Sequence, residues 1–367
     1  MTSWRRFLPF TVLFLVAGFV VGPGWLGIVH PDPRSDLVSA LATVALIVIL
    51  CRDGLEVDAE MLQREWRPPL RKLVVGMPIT GAIVAVATKT LTDLSWTESF
   101  LVGALLSPTD PVLSNAVVTN PRVPRVVRHS LNLESGLNDG LALAPILALA
   151  TALDATRHHF DPLAFVVQDV GLGFAFGIAC GLLASLVTPR TAAHAAFMGV
   201  GLAFAAYGAT QLGPEANGFI AVYVAAIVLG VRRPDLLRDV ERRADQLVEI
   251  VKLGIFVVFG ALLTFGGLFD DGWAAVAIVA VTLLVARPVA VFVSLAGTSF
   301  GRHTKAFMSW FGPKGVSTMA FSLIVLSRHI AAGERIFHLA ALCVVCSIIA
   351  HGSTDTAGVR WLERRLP

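Results

Sequence analysis

The chain has 367 residues, of which 55% are hydrophobic and only 15% are charged, and its mean hydropathy is +0.74. A soluble domain has nearer 25% charged residues, so the composition excludes a soluble protein and predicts an all-α polytopic membrane protein. The net charge of +3 says little by itself, and no nucleic-acid partner is predicted.

About twelve apolar runs of roughly 17–25 residues, separated by charged residues, glycine or proline, predict membrane helices. The first run is too long for a signal-peptide core and lacks a small-residue cleavage site, so we expect a membrane helix there. The predicted spans are roughly 7–28, 35–52, 70–91, 99–118, 131–153, 163–187, 194–211, 215–231, 246–268, 272–296, 306–328 and 335–357.

Positive charge alternates between the loops that connect these spans. Most of the 29 lysines and arginines fall in every second loop when the N-terminus is placed inside. The positive-inside rule then predicts a multi-pass protein of the cell (inner) membrane with both termini in the cytoplasm. Arginine outnumbers lysine, which suggests a bacterial source. No connecting segment is long enough for a soluble domain, so residues 1–367 are expected to form one integral-membrane unit.

The fourth span contains Ser107-Pro108-Thr109-Asp110-Pro111 near its middle. Each proline disfavours a helical conformation at the preceding residue, so the helix is expected to break. The break frees carbonyls such as that of Thr109 to bind a cation, and the positive end of a half-helix favours the Asp110 carboxylate. A plain proline kink is the alternative, but an ionisable group at this depth costs at least about 2.5–3.5 kcal/mol and indicates function.

The fifth span carries a second set of polar residues. Ser135 and Asp139 are four residues apart and share one helix face, which we expect to point towards the broken helix. Glu134 and Asn138, also four apart, lie on the adjacent face and need partners of their own.

The ninth and tenth spans each contain a cation. Lys252 lies near the cytoplasmic end of the ninth span, so snorkelling to the interface is expected. Arg287 precedes Pro288 deep in the tenth span, and a buried arginine must pair, so we predict an ion pair with Glu134. A structural role for this pair is expected, and tuning of Asp139 is the alternative.

The eleventh span is interrupted by Gly312-Pro313-Lys314-Gly315, where the cation suits the negative ends of half-helices. An interfacial position for Lys314 is the alternative. The fourth and eleventh spans are seven apart and so run in opposite directions, which predicts inverted repeats with two crossed interrupted helices. His351 in the last span is expected to pack or cap rather than relay protons.

These motifs together resemble the sodium/proton antiporter family of the cation–proton antiporter superfamily. The resemblance covers nearly the whole chain, and its paired acidic motifs are highly specific together. It is carried by the runs 106–112 and 134–140, supported by 8–12, Gly22-Pro23, Asp53-Gly54-Leu55-Glu56, Ala286-Arg287-Pro288, 312–315 and His351-Gly352.

The resemblance implies a homodimer with a core domain, near 70–153 and 272–357, and a dimer domain from the remaining spans. Within the core, Na⁺ would be bound by Asp110, Ser135, Asp139 and the Thr109 carbonyl. Asn138, Glu134, Arg287 and Lys314 would support the site. The Asn138-Asp139 pair resembles the electroneutral branch. Relatives usually have thirteen helices, so a first helix is expected to be absent or to lie upstream of the given start.

The chemistry expected of Asp139 is competition for one carboxylate. Burial favours the neutral form of a carboxyl group, so Asp139 would hold either a proton or a hard cation. We therefore expect a secondary active transporter, not an enzyme, that exchanges Na⁺ and Li⁺ for H⁺ without a cofactor and serves pH homeostasis. A K⁺/H⁺ antiporter of the same fold is the alternative, and an intramembrane aspartyl protease is a remote one.

Overall fold

The computed structural model describes residues 10–57, 66–110, 115–156, 160–189, 191–212 and 216–365. Every regular element within these ranges is a helix, as a bilayer requires of a chain that must satisfy its backbone groups internally. The helices are α1 Phe10–Val21, α2 Asp36–Leu55, α3 Arg67–Leu91, α4 Trp96–Leu105, α5 Asn115–Val118, α6 Arg125–Leu153, α7 Pro162–Ser185, α8 Ala192–Ala209, α9 Gly218–Arg232, α10 Pro234–Ala261, α11 Phe265–Leu268, α12 Trp273–Ser294, α13 Arg302–Trp310, α14 Val316–Leu326 and α15 Gly333–Glu363.

Each of the twelve predicted spans overlaps at least one of these helices, and the polytopic helical fold is confirmed. Six helices are long and apolar enough to cross a bilayer alone, namely α2, α3, α6, α7, α12 and α15. The others are shorter, or begin with a charged turn as α10 does. Residues 1–9 lie outside the described residues, and they include Arg5 and Arg6, which are part of the positive charge predicted on the inside.

The fourth and eleventh spans are interrupted, as their prolines predict. In the fourth, α4 ends at Leu105 and α5 begins at Asn115; Pro111 lies outside the described residues. In the eleventh, α13 ends at Trp310 and α14 begins at Val316, and the five intervening residues are not helical.

Two further helices contain matching distortions. α3 is π-helical over Lys72–Gly76 and α12 over Thr282–Ala286, and each stretch lies just before a proline, Pro78 or Pro288. Proline cannot donate the usual backbone hydrogen bond, so the ladder widens locally. α3 and α12 are the third and tenth spans, again seven apart, which extends the inverted repeat beyond the two broken helices.

The helices pack in two groups. One consists of α1, α2 and α7 to α10, with α2, α9 and α10 at its centre. The other consists of α3 to α6 and α12 to α15. The groups meet where α2 and α10 contact α14, and where α2 contacts α6. Both charged breaks and the polar face of α6 lie in the second group, beside this boundary.

Candidate ion-binding site

The two interrupted helices cross, and Asp110 joins them. Its backbone N–H donates to the Pro313 carbonyl at 2.8 Å, and its Oδ2 accepts the N–H of Val316 at 2.9 Å. Val316 is the first residue of α14, so the carboxylate lies at the positive end of that half-helix. A Cβ on Gly315 would collide with the Asp110 carboxylate, which explains why glycine stands there.

Lys314 makes the reciprocal contact. Its side chain is only 1% exposed, so the interfacial alternative is wrong. Nζ donates to the carbonyls of Ser107 at 3.1 Å and Pro108 at 2.9 Å, just beyond the C-terminal end of α4. The charged residue of each break therefore compensates the helix end freed by the other break.

The Thr109 carbonyl is bound by two side chains of α6. Ser135 Oγ donates to it at 2.9 Å and Asn138 Nδ2 at 2.8 Å, and the same amide reaches Thr109 Oγ1 at 3.0 Å. The sequence placed Asn138 on the face of Glu134, but it shares its partner with Ser135, which is three residues away along the helix. The amide and the hydroxyl thus hold the broken backbone in place.

Asp139 is 2% exposed and points to the boundary between the two helix groups. Its Oδ2 accepts a hydrogen bond from Ser317 Oγ on α14. The carboxyl group of Asp53 on α2 lies beside that of Asp139, and both groups line the same cavity. Within the described part of the chain, Oδ1 of this buried carboxylate has no hydrogen-bond partner. Asp53 is paired with Arg52 at 3.1 Å, whereas Asp139 faces a second acid, so a proton or a cation at Asp139 relieves the repulsion between the two carboxylates.

A small cavity lies beside this carboxyl pair. Its volume is about 10 Å³, which is room for roughly one water molecule. The polar residues that line it include Asp53, Asp110, Ser135, Asp139, Ser317 and Lys252. Carboxylate and hydroxyl oxygens are the ligands that hard cations prefer, so the cavity suits a dehydrated monovalent cation or a proton-bearing carboxyl.

Four polar residues of this cavity, Arg52, Asp53, Lys252 and Ser317, were not predicted from the sequence as site residues. Asp53 was noted only as part of a loop-like motif, and it proves to be buried in the last turn of α2. Ser317 carried no signal in an apolar helix. Lys252 was expected to snorkel to the interface; this is wrong, because its side chain is 5% exposed and faces the cavity.

Glu134 forms the predicted ion pair and a second one besides. Its carboxylate contacts Arg287 at 3.0 Å and Lys72 Nζ at 2.6 Å. Lys72 falls at the start of the predicted third span and was not predicted as a site residue; it is 2% exposed and also donates to the Ser130 carbonyl at 3.0 Å. Arg287 further contacts the carbonyls of Met308 and Phe311 at the end of α13. The two cations lie next to the π-helical stretches of α3 and α12.

His351 has the capping role expected of it. Its Nε2 lies 2.7 Å from the Trp310 carbonyl at the end of α13, and its Nδ1 lies 2.7 Å from the Ser347 carbonyl. Ser347 Oγ in turn accepts the backbone N–H of Lys314 at 2.8 Å. α15 therefore holds the second break through side chains.

The fold and the site together define a class: helical membrane proteins in which two interrupted helices of opposite direction cross beside buried carboxylates. Comparison with known proteins identifies the family. The model of the family "Sodium/hydrogen exchanger, transmembrane" matches residues 2–361, and the chain belongs to this family. The family consists of exchangers and not of peptidases, which leaves the aspartyl-protease alternative without support.

Curated relatives differ in the cation that their names give. The "K(+)/H(+) antiporter NhaP" of Alkalimonas amylolytica is 27% identical over 377 residues, covering 100% of this chain and 64% of its own length. The chain thus spans about two thirds of that relative. The "Na(+)/H(+) antiporter 1" of Methanocaldococcus jannaschii is 24% identical over 337 residues, covering 87% of this chain and 78% of its own.

A solved structure has the same fold. The sodium proton antiporter MjNhaP1 from Methanocaldococcus jannaschii, determined at pH 8, superposes with a TM-score of 0.83 and 20% identity. The match covers 98% of this chain and 94% of that one.

Proposed function

We propose that this chain is the transport unit of a secondary active antiporter that exchanges a monovalent cation for protons. The observation that carries the proposal is the Asp139 carboxylate, which is buried beside a second acid and has one oxygen without a partner among the described residues. A buried carboxylate of this kind binds either a proton or a cation. Because it binds only one of them at a time, cation uptake is coupled to proton release.

The cation-binding groups are Asp139, Asp110, Ser135 and the carbonyl oxygen of Thr109. Asp139 supplies the exchangeable charge, while Asp110 is oriented by the Val316 N–H. The Thr109 carbonyl accepts two hydrogen bonds, from Ser135 and Asn138. Ser135 would turn its oxygen to the cation as it binds, and Asn138 would keep the carbonyl in place. Asp53 joins this set as a partner that shares a proton with Asp139.

Obligatory exchange follows from the cost of an empty site. A charged carboxylate without a partner pays a large desolvation penalty when it moves through an apolar environment, whereas a protonated or cation-bound one does not. The second helix group would be the mobile core and the first group the scaffold, which forms a homodimer in the cell membrane. Both termini would lie in the cytoplasm.

The transported cation is Na⁺, with Li⁺ as a second substrate, in electroneutral exchange. A K⁺/H⁺ antiporter is the second candidate, and the names of the relatives that match the whole chain favour it. The oxygen-lined cavity suits a dehydrated monovalent cation, and the transport test below separates Na⁺ from K⁺.

The test is exchange by the purified protein in proteoliposomes with an internal pH indicator. An acid interior is imposed, and Na⁺, Li⁺ or K⁺ is added outside, with and without a voltage set by an independent ionophore. We expect rapid alkalinisation with Na⁺ and Li⁺, slow alkalinisation with K⁺, and rates that do not change with voltage.

The other results have definite meanings. Alkalinisation with K⁺ alone would replace Na⁺ by K⁺ as substrate and keep the antiport mechanism. No response to any of the three cations, in vesicles shown to contain folded protein, would overturn the proposed function.

A further inference from the structure

Lys252 is a cation of the cavity whose charge the proposed exchange does not use. It lies on α10, one turn after Val248, and both side chains line the same cavity as Asp53 and Asp139. A lysine ammonium at 5% exposure is costly unless it is paired. Within the part of the chain that the structure describes, Lys252 forms no hydrogen bond or ion pair, although it is attracted to Asp53.

The other cation at this cavity is held differently. Arg52 pairs with Asp53 at 3.1 Å and with Glu56 at 2.5 Å, both on its own helix α2. Arg52 is therefore anchored on its own helix, whereas Lys252 carries its charge on a flexible four-carbon stem. Among the three acids of the cavity, Asp53 has Arg52 and Asp110 has the end of α14. Asp139 forms no ion pair with a cation among the described residues.

The two groups also belong to different parts of the fold. Lys252 is on α10 of the first helix group, and Asp139 is on α6 of the second. An ammonium group is itself a monovalent cation with three donors, so it can neutralise the same carboxylates that an alkali ion neutralises. Both cannot lie beside Asp139 at once, because the cavity holds about one water-sized particle.

We propose that Lys252 is a built-in competitor of the transported cation: its ammonium neutralises the Asp139–Asp53 site when no ion is bound, and an entering cation must displace it. This inference rests on the proposed antiport function and adds the factor that sets the apparent affinity of the site for the transported cation. The charged groups that face Lys252 are Asp53 and Arg52 from α2, Asp110 from the first break and Asp139 from α6.

The consequence is a cation affinity lower than the oxygen ligands alone would give. Removing a charge of the same sign that lies a few ångströms from a partly buried ion strengthens the binding of that ion by about tenfold or more. In proteoliposomes we expect Lys252→Met to lower the Na⁺ concentration for half-maximal alkalinisation by about tenfold. The maximal rate should stay level or fall, because a tightly held ion leaves slowly. The same measurement with Li⁺ should shift in the same direction.

Two control variants separate charge from shape. Lys252→Arg keeps the charge and should keep the half-saturating concentration within about twofold of the unmodified protein. Lys305→Met removes a lysine charge from α13, away from the cavity, and should leave both parameters unchanged. A second readout without transport is the stabilisation of the detergent-purified protein by Na⁺ on heating, which should begin at lower Na⁺ in Lys252→Met.

Several results would overturn this inference and leave antiport intact. These are an unchanged or raised half-saturating concentration in Lys252→Met, or an equal shift in Lys305→Met. If Lys252→Met does not accumulate, Lys252→Gln takes its place in both measurements. Loss of folded protein in both variants would show that the ammonium is a structural group, which also overturns it. Absence of cation-dependent proton flux in the unmodified protein is a failure of the proposed function and is distinguishable from all of these.

Discussion

Glu134 and Asp139 are two buried acids on the same helix, five residues apart, and their surroundings are opposite. Glu134 is held between Lys72 and Arg287, at 2.6 and 3.0 Å. Asp139 receives one hydroxyl hydrogen bond, faces another acid, and has an oxygen with no partner among the described residues. α6 thus carries one acid towards the interior of its own helix group and one towards the boundary.

The difference separates a structural charge from an exchangeable one. Two cations that contact one carboxylate balance its charge permanently, so Glu134 has nothing to exchange. Asp139 has a carboxylate oxygen without a partner among the described residues, which can bind a proton or an ion, and it lies where the two helix groups meet. Burial alone does not make an acid functional; the absence of a permanent counter-charge does.

The largest effect is expected at the structural acid. Glu134→Gln leaves Lys72 and Arg287 facing each other without an anion, and breaking a buried pair on one side costs about 3–5 kcal/mol. That is a large part of the stability of a typical protein. We expect little monodisperse protein in size-exclusion chromatography and a strongly lowered melting temperature.

The matched control is Glu334→Gln, which removes an exposed carboxylate at the start of α15. It should behave as the unmodified protein. Normal yield and stability of Glu134→Gln would contradict the structural role of Glu134 and would remove the proposed difference between Glu134 and Asp139.

The next effect is on transport alone. Asp139→Asn removes the exchangeable charge but no ion pair, so cation-driven alkalinisation should fall to the level of protein-free vesicles. The melting temperature should not fall, because a neutral amide has a smaller desolvation penalty than a carboxylate. Asp270→Asn, at an exposed acid far from the cavity, should change neither quantity. Sodium-driven proton flux retained by Asp139→Asn would refute the assignment of this residue.

The smallest effect is expected from Ser317→Ala, which removes the hydroxyl that donates a hydrogen bond to Asp139. The hydroxyl donates to Asp139 and so stabilises its charged form. Without it the proton binds more tightly, and the cation competes only at higher pH. The acidic limb of the exchange–pH profile should therefore move up by about 0.5–1 pH unit, the equivalent of one hydrogen bond.

Ser322→Ala provides the control for that measurement. Its hydroxyl is on the same helix and donates to the Met319 carbonyl instead, so the profile should not move. A shift to lower pH in Ser317→Ala would mean that the hydroxyl stabilises the protonated form of Asp139.

Much of the site could be predicted from the sequence because its causes are local. The prolines at 108, 111 and 313 disfavour a helical conformation at the residues before them, and Ser135 and Asp139 share a face through their spacing alone. The Glu134–Arg287 pair followed from the rule that buried charges pair. One local signal was missed: Lys72-Leu-Val-Val-Gly-Met-Pro78 and Thr282-Leu-Leu-Val-Ala-Arg-Pro288 have the same pattern, and both are π-helical before the proline.

The lysines show where sequence reasoning stopped. Lys72 and Lys252 both lie near the cytoplasmic ends of apolar runs. Lys72 was not predicted as a site residue, and Lys252 was expected to snorkel to the interface because a long stem allows it. The structure turns both inward, to Glu134 and to the cavity beside Asp139. The direction of a flexible side chain depends on which helix packs against it.

The sequence by itself determined a helical membrane protein with two interrupted spans, a buried acid in each of two consecutive spans, and a cation in the second break. These follow from hydropathy and from backbone chemistry that acts over a few residues. Only the tertiary structure decided which acid receives permanent counter-charges, that Asp53 and Ser317 join Asp139, and that Lys252 faces their cavity. Those contacts join residues far apart in the chain, and helix packing, which no local pattern encodes, brings them together.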